Sequence, residues 1–224
     1  MPFDFKKEYK DLYGTGKEPV IVKVPKISYA AVRGQGDPNE EDGAYQKAIA
    51  VLYAVSYTIK MSYKGTHKIP GFYEYVVPPL EGFWWQEKKG RPADKNDHEG
   101  HAIDKSAFHW ISLIRLPEFV TEEEFARAVK AASEKKKMDC SPAGYLTIEE
   151  GLCAQILHTG SFDTESETIA RMDAYVKESG YENDIIECTD DADKMRLHHE
   201  IYLSDARKVP PEKRKTIIRH PIRR

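Results

Sequence analysis

The chain has 224 residues, of which 40% are hydrophobic and 32% are charged, and its formal net charge is −3. This composition is typical of a folded globular protein and excludes a disordered chain. The slightly acidic balance provides no basic surface for the phosphates of a nucleic acid, so we expect no direct nucleic-acid partner.

The cysteines and the N-terminal sequence indicate the compartment. Cys140, Cys153 and Cys188 are odd in number and widely spaced, which fits neither a disulfide framework nor a zinc site. The N-terminus lacks the apolar core of a signal peptide, and no apolar run is long enough to span a bilayer. We therefore expect a cytoplasmic protein that does not associate with membranes.

The first half of the chain begins with an arm and continues as a strand, a helix and two strands. We expect residues 1–25 to form the arm, which contains the turn-rich segment GTGKEP. The strand KISYAAVRGQG precedes a helix that Asp37 can cap and whose first turn suits Pro38. One face of this helix carries side chains at helical spacing: Tyr45, Ile49, Leu52, Ser56 and Ile59.

The two strands predicted next are GFYEYVVPPLEGFWW and AFHWISLIRL. The polar connection between them contains the motif HEGH, His98 to His101. Two histidines that flank a glycine in a polar loop do not reproduce the HExxH zinc pattern, so we expect a solvated loop and no metal.

The second half repeats this order after a linking helix. Thr121 and Glu124 form a capping box at the start of the linking helix. The strand EEGLCAQILHTG then precedes the helix SFDTESETIARMDAYVKESG. The strands RLHHEIYLSD and KTIIRHPI complete this half.

The two halves align with each other. VRGQGDP matches ILHTGSFD, which pairs Gly36 with Gly160, and YEYVVPP matches HEIYLSD, which pairs Glu74 with Glu200. One such unit is too small to bury its own sheet, so we predict a duplicated strand–helix–strand–strand unit. The predicted fold is α+β, with antiparallel sheets and a ligand cleft between two pseudo-symmetric repeats.

These patterns also predict the organisation of the chain. We expect one compact domain made of the following parts: an arm at 1–25, a first repeat at 26–120, and the linking helix with the second repeat at 121–224.

The strand around Glu200 carries the candidate site. Glu200, Tyr202 and His198 share one face of this strand, opposite Ile201. A solvated face is the usual environment of a strand glutamate. Aromatic neighbours favour a pocket instead, and Glu74 shares its predicted face with an aromatic side chain as well. His198 either hydrogen-bonds beside Glu200 or is simply exposed.

Other aromatic side chains are candidates for the pocket walls. Tyr53 and Tyr57 lie one helical turn apart, Trp84 and Trp85 end a strand, and Phe162 begins a helix. Each of them alone is also compatible with the hydrophobic core.

Several segments resemble those of GyrI-like small-molecule-binding proteins, in the branch that stands alone. The segments in chain order are VLYAVSYTIKM, VPPLEGFWW, GLCAQILHTGSFDTESETI and HHEIYLSDARKVPPEKRKTIIRHPI. The resemblance runs from about Tyr29 to the end of the chain.

This resemblance implies a fold of two strand–helix–strand–strand repeats, of the SHS2 type, with a ligand cleft between them. It also implies that the pocket glutamate of the family is Glu200, that the tryptophan of its hydrolase branch is Trp84, and that no cofactor is needed. Members act as effector-binding domains of multidrug-sensing activators, as gyrase inhibitors, as binders of lipophilic cations, or as cyclopropanoid cyclopropyl hydrolases. Because no helix-turn-helix precedes the resemblance, we expect no transcription factor.

Three functions therefore remain open. The site binds planar hydrophobic molecules, often cationic drugs or dyes, because a buried carboxylate needs a positive partner and aromatic rings attract cations. Alternatively, Glu200 acts as an acid or base in a hydrolase that opens the cyclopropane ring of genotoxins. A weaker third hypothesis is an inhibitory protein that masks a partner such as gyrase through an acidic surface. The sequence has no long acidic patch that would support it.

Overall fold

The computed structural model describes residues 1–86, 105–185 and 196–224, so the HEGH motif and Cys188 lie outside the described residues. The described residues contain seven strands: β1 Val20–Gln35, β2 Leu80–Gln86, β3 Phe108–Arg115, β4 Gly144–Thr159, β5 Glu182–Asn183, β6 His198–Tyr202 and β7 Lys215–Arg223. They also contain five α-helices: α1 Phe5–Glu8, α2 Lys10–Tyr13, α3 Ala44–Lys60, α4 Glu122–Lys136 and α5 Glu165–Glu178. Among them, no helix is both long enough and apolar enough to cross a membrane.

Six of the strands close into an antiparallel barrel. The neighbours run β4-β1-β3-β2-β6-β7, and β7 pairs again with β4, while β5 extends the sheet beside the end of β7. Closure depends on the 16-residue length of β4, which pairs with β1 through Gln155 and with β7 from Cys153 onward. The α+β class is confirmed, but one closed sheet replaces the separate sheets that we expected.

The order strand–helix–strand–strand occurs as β1, α3, β2, β3 and again as β4, α5, β6, β7, with β5 inserted in the second half. A pseudo-symmetric duplication of the SHS2 type stays a prediction, as do the boundaries between the predicted parts of the chain.

The second strand begins later than its sequence pattern predicts. Residues 72–79 make only a single parallel bridge, between Phe3 and Tyr75, and the regular strand starts at Leu80. Pro78 and Pro79 cannot donate to a sheet ladder, which explains this start. The register consequently places Gly82, and not Glu74, opposite Glu200.

The N-terminal residues form part of the barrel core. The short helices α1 and α2 bury Phe5, Leu12 and Tyr13 in the cluster that fills the barrel, together with Phe83 and Ile201 of the wall. Side chains alternate across each strand, so the inward ones must fill the interior of a barrel of this size. The segment predicted to be an arm therefore supplies packing that the strands lack.

Four charged side chains form one buried network inside the barrel: Glu81, Glu150, His199 and Arg219. The two ring nitrogens of His199 lie 3.0 Å from Glu150 Oε2 and 3.1 Å from Glu81 Oε2. Arg219 Nη1 donates to Glu150 Oε1 at 3.0 Å, and Tyr13 donates to Glu81 Oε1 at 3.1 Å. Buried charges are tolerated when they are paired and hydrogen-bonded, and here two cations meet two carboxylates.

The network also fixes its own charges. Burial alone would raise the pKa of Glu150, but His199 and Arg219 lower it to about 2. Burial likewise disfavours a charged His199, but Glu150 and Glu81 outweigh burial and raise the pKa of His199. The charges buried among the apolar side chains of the barrel therefore neutralise one another.

The helices cover the outside of the barrel on two sides. α3 packs on β1 and β3, and α4 packs on α3. α5 packs on β4, with Met172 and Val176 against Ile218 of β7. In the closed ring, β2 and β6 lie between these two covered regions, so their outward side chains face the space between the helices.

We expect Arg219→Met to lower the free energy of unfolding by about 3–5 kcal/mol, because Glu150 then stays buried without its guanidinium partner. The matched control is Arg207→Gln, which breaks the exposed pair with Asp205 and should cost less than about 1 kcal/mol. Urea denaturation measures both values. Equal losses in the two variants would show that the network does not hold the barrel together.

Candidate functional site

Strand β6 divides its side chains between the inside and the outside of the barrel. His199 and Ile201 are fully buried in the interior, whereas His198, Glu200 and Tyr202 point outward and are only partly exposed. The alternation agrees with the faces predicted from the sequence. It also settles the environment of His198, whose Nε2 lies 3.0 Å from Glu200 Oε1.

Aromatic side chains from three other segments surround this outward face. Trp84 of β2 donates its Nε1–H to the Tyr202 hydroxyl at 2.8 Å. The ring of Tyr45, in the first turn of α3, lies 5.2 Å from that of Trp84. Phe162, just before α5, meets Tyr202 edge-to-face at 5.7 Å. The carboxylate of Glu200 is thus placed among flat apolar surfaces, which suits a planar ligand.

Gly82 leaves room for the contact between Trp84 and Tyr202. It lies directly opposite Glu200 in the ladder between β2 and β6. A Cβ atom at position 82 would lie 2.7 Å from Trp84 Nε1 and 3.2 Å from the Tyr202 hydroxyl. Any side chain here would displace the indole that Tyr202 holds.

A second carboxyl group, Glu165, faces Glu200 from the first position of α5. Glu165 is only 6% exposed, and its Oε1 has no hydrogen-bond partner among the described residues. One ligand atom from each of Glu165, His198 and Glu200 lies within 4.8 Å of the others. These three side chains form what we call the carboxyl cluster.

The carboxyl cluster holds a proton at neutral pH. Burial first, then the charges of Glu200 and Asp163, raise the pKa of Glu165 to about 9. A helix N-terminus favours a carboxylate by only about 0.3–1 kcal/mol, which is too little to reverse this shift. Glu165 is therefore a carboxylic acid beside the carboxylate of Glu200, a pairing typical of sites that use one acid and one base.

The tyrosine hydroxyls of the site also keep their protons. Burial, followed by the charge of Glu200, raises the pKa of Tyr202 well above its usual range. Burial likewise raises the pKa of Tyr45, to which Glu200 contributes. Both hydroxyls therefore stay neutral beside Glu200.

Two carboxyls and one histidine are also the donor set of many divalent-metal sites. The carboxyl cluster is the one group of three such ligands found among the described residues. A metal would have to displace the proton of Glu165 and take a free lone pair on His198 Nε2, the atom that faces Glu200. The tautomer of His198 therefore decides whether these residues suit a metal.

The structure does not bring the remaining candidates to Glu200. Tyr53 and Tyr57 contact each other at 6.2 Å and line a surface depression with Lys136 and Met138. Trp85 points away from Trp84 and stacks on His109 at 5.5 Å.

Glu74, the predicted counterpart of Glu200, is also elsewhere. It is exposed and lines a different depression, beside Phe3 and Tyr73 near the N-terminus.

Sequence reasoning missed three members of the site: Tyr45, Gly82 and Glu165. Its helical spacing assigns Tyr45 only to one face of its helix, and Glu165 stands in the sequence only as part of the predicted helix SFDTESETIARMDAYVKESG. The available signal for Gly82 is its position within an aromatic strand. A glycine inside a strand often marks a place where another group closely approaches the backbone.

We expect Gly82→Ala to weaken binding of a planar aromatic dye about fivefold, since losing the hydrogen bond between Trp84 and Tyr202 costs about 1 kcal/mol. Gly144→Ala is the matched control, because a Cβ atom at that strand position meets nothing within 4 Å. Fluorescence titration of the dye measures both affinities. Equal affinities in the two variants would contradict this role of Gly82.

Comparison with known proteins agrees with this architecture. A hydrolase from Listeria innocua is 40% identical, with a TM-score of 0.83 and coverage of 99% of this chain and 100% of its own. An uncharacterized conserved protein from the same organism is 43% identical, with the same TM-score and the same coverage. The C-terminal domain of EcmrR is 10% identical with a TM-score of 0.50, covering 92% of this chain and 98% of its own, which concerns the fold alone.

No match was found among curated proteins. The model of the GyrI-like small molecule binding domain matches residues 17–223, almost the entire chain. This chain therefore belongs to the GyrI-like family of small-molecule-binding domains.

Proposed function

We propose that the protein is a hydrolase for planar, electrophilic small molecules of the cyclopropanoid type, with Glu165 as general acid and Glu200 as general base. The observation that carries the proposal is the close approach of two carboxyl groups, Glu165 and Glu200, of which Glu165 is buried and has a raised pKa. A binding pocket needs at most one charge, whereas acid–base catalysis needs a donor and an acceptor beside the same ligand.

The aromatic walls provide the binding part of the proposal. A planar ligand stacks on the rings of Trp84, Tyr45 and Phe162, each of which buries apolar area. The hydrogen bond from Trp84 to Tyr202 holds the indole in a fixed orientation. Binding energy from this surface fixes the reactive carbon near the carboxyl cluster.

The chemistry requires both carboxyl groups. Glu200 accepts a proton from a water molecule, and the water oxygen bonds to the methylene carbon of the cyclopropane. The bond from that methylene carbon to the ring carbon conjugated with the carbonyl group breaks, and its electron pair moves through the conjugated ring to the carbonyl oxygen. Glu165 gives its proton to that oxygen, so the product is the substrate plus one water. A proton then passes from Glu200 to Glu165, which resets the pair.

Two further facts support the proposal. One similar solved structure, at 40% identity, is described as a hydrolase. The resemblance of Trp84 and Glu200 to the hydrolase branch of the family leads to the same chemistry.

The proposal places the reaction in the cytoplasm, where a genotoxin would meet the protein before it reaches DNA. A gyrase-type partner stays a prediction without a surface assigned to it.

We expect Glu200→Gln and Glu165→Gln each to lower turnover of a cyclopropanoid about 10²–10⁴-fold, since each removes one proton-transfer group. Mass spectrometry detects the gain of one water in the product. Binding of the neutral substrate should persist in both variants. Glu167→Gln, an exposed change two residues further along α5, is the matched control and should retain activity. Full turnover by Glu200→Gln would remove the proposed base.

Binding of planar cations without chemistry is the second candidate function. It is favoured by the single negative charge that the carboxyl cluster carries among aromatic rings when Glu165 is protonated. A cation neutralises that charge, and the ring faces attract it further, by about 0.5–2 kcal/mol each.

The pH dependence of binding tests the charge of the site. Above pH 9 Glu165 ionises, the cluster gains a second negative charge, and affinity for a cationic dye should rise about tenfold or more. A neutral analogue of the dye should show no such rise, and the rise should vanish in Glu165→Gln. A flat profile for the cation in the unmodified protein would show that Glu165 does not hold the proton.

A further inference from the structure

A line of hydrogen-bonded side chains continues outward from Glu200 across two further strands. His198 Nε2 lies 3.0 Å from Glu200 Oε1, and His198 Nδ1 lies 2.7 Å from His220 Nε2 of β7. His220 Nδ1 in turn lies 3.3 Å from the amide nitrogen of Asn183 on β5. A neutral imidazole has one donor and one acceptor nitrogen, so each contact in this line restricts the next.

The orientation of the Asn183 amide is fixed by the backbone. The N–H of Ile185 donates to Asn183 Oδ1 at 3.0 Å, so the oxygen of the amide faces the main chain. The NH₂ group must then face the other way, where it lies 3.3 Å from Asp173 Oδ1 and 3.3 Å from His220 Nδ1. Asp173 Oδ1 can only accept, which agrees with this assignment.

The fixed amide determines both histidine tautomers. Because Asn183 donates to His220 Nδ1, the proton of neutral His220 resides on Nε2, which donates to His198 Nδ1. His198 then carries its own proton on Nε2 and donates it to Glu200. Burial first, and then the adjacent His198, lower the pKa of His220 well below its usual range, which agrees with a neutral ring at this position.

We propose that Asn183 is a positioning residue that sets the tautomers of His220 and His198 and thereby directs an N–H to Glu200. Glu200 receives this hydrogen bond, whereas Glu165 Oε1 receives none from the described residues. A hydrogen bond to the charged form favours that form, so the proton shared by the two carboxyls resides on Glu165. Where turnover is concerned, this inference rests on the proposed function.

The same tautomer bears on metal binding. His198 Nε2 has no free lone pair while it carries the proton, so a metal would have to displace this proton as well as that of Glu165.

The experiment is a two-bond ¹H–¹⁵N correlation spectrum of the full chain labelled in its histidines, at neutral pH. Protonated and unprotonated ring nitrogens resonate in separate regions, so the spectrum identifies each tautomer directly. The unmodified protein should show the Nε2–H form for both His198 and His220. A proton on Nδ1 of either ring would overturn the proposal, whether or not the protein has hydrolase activity.

Asn183→Asp is the decisive variant, because a carboxylate of the same shape can only accept. His220 should then switch to the Nδ1–H form, and His198 should lose its donation to Glu200. Glu182→Gln is the matched control on the adjacent residue, whose exposed side chain contacts Arg223, and it should leave both tautomers unchanged. Unchanged tautomers in a folded Asn183→Asp protein would overturn the proposal. If that variant fails to fold, the spectrum of the unmodified protein still decides.

Turnover provides the second readout. We expect Asn183→Asp to reduce turnover of a cyclopropanoid about 10–100-fold, the usual effect of removing a partner that orients a catalytic group. Affinity for the neutral substrate should stay within about twofold of that of the unmodified protein. A tautomer switch with full turnover would leave the assignment of protons correct and would refute the role of Asn183 in catalysis. Inactivity of the unmodified protein would refute the proposed function alone.

Discussion

The ion pairs of His199 inside the barrel determine where the outward side chains of β6 lie. Glu150 and Glu81 contact the two ring nitrogens of His199, so this residue can occupy only an inward position. Side chains alternate along a strand, and β6 has five residues, so a slip of one position would bury Glu200 and expose the histidine. The buried charges therefore specify a register as well as stabilising the core.

The site outside the barrel depends on the same closed sheet. β2 and β6 are hydrogen-bonded neighbours that join the two halves of the chain in this sheet, and their pairing places Gly82 opposite Glu200. α3 and α5 then bring Tyr45 and Glu165 to this pair of strands from two sides. No single segment contains the site, since its acid, its base and its aromatic walls each belong to a different element.

Local patterns in the sequence predicted the faces of HHEIYLSD and the N-cap of α4 by Thr121, and the resemblance of several segments predicted the family. Glu74 lies away from Glu200 because Pro78 and Pro79 delay the start of β2, an effect that the alignment of the two halves does not include. Barrel closure could not be predicted, since it depends on the pairing between β4 and β7. The side-chain pattern of a strand does not specify which other strand it pairs with. Glu165 could not be recognised either, because acidic residues at helix starts are common and only the fold shows that this one is buried.

The hydrogen bond from Arg219 to the carbonyl of Leu12 joins residues that are 207 positions apart. During synthesis α1 and α2 therefore leave the ribosome well before the side chain of Arg219 that holds them in the barrel. The contacts of these two helices inside the barrel can be completed only after β7 has been made. Contacts of such long sequence separation slow folding, and apolar side chains that wait for them are the kind of surface that chaperones bind.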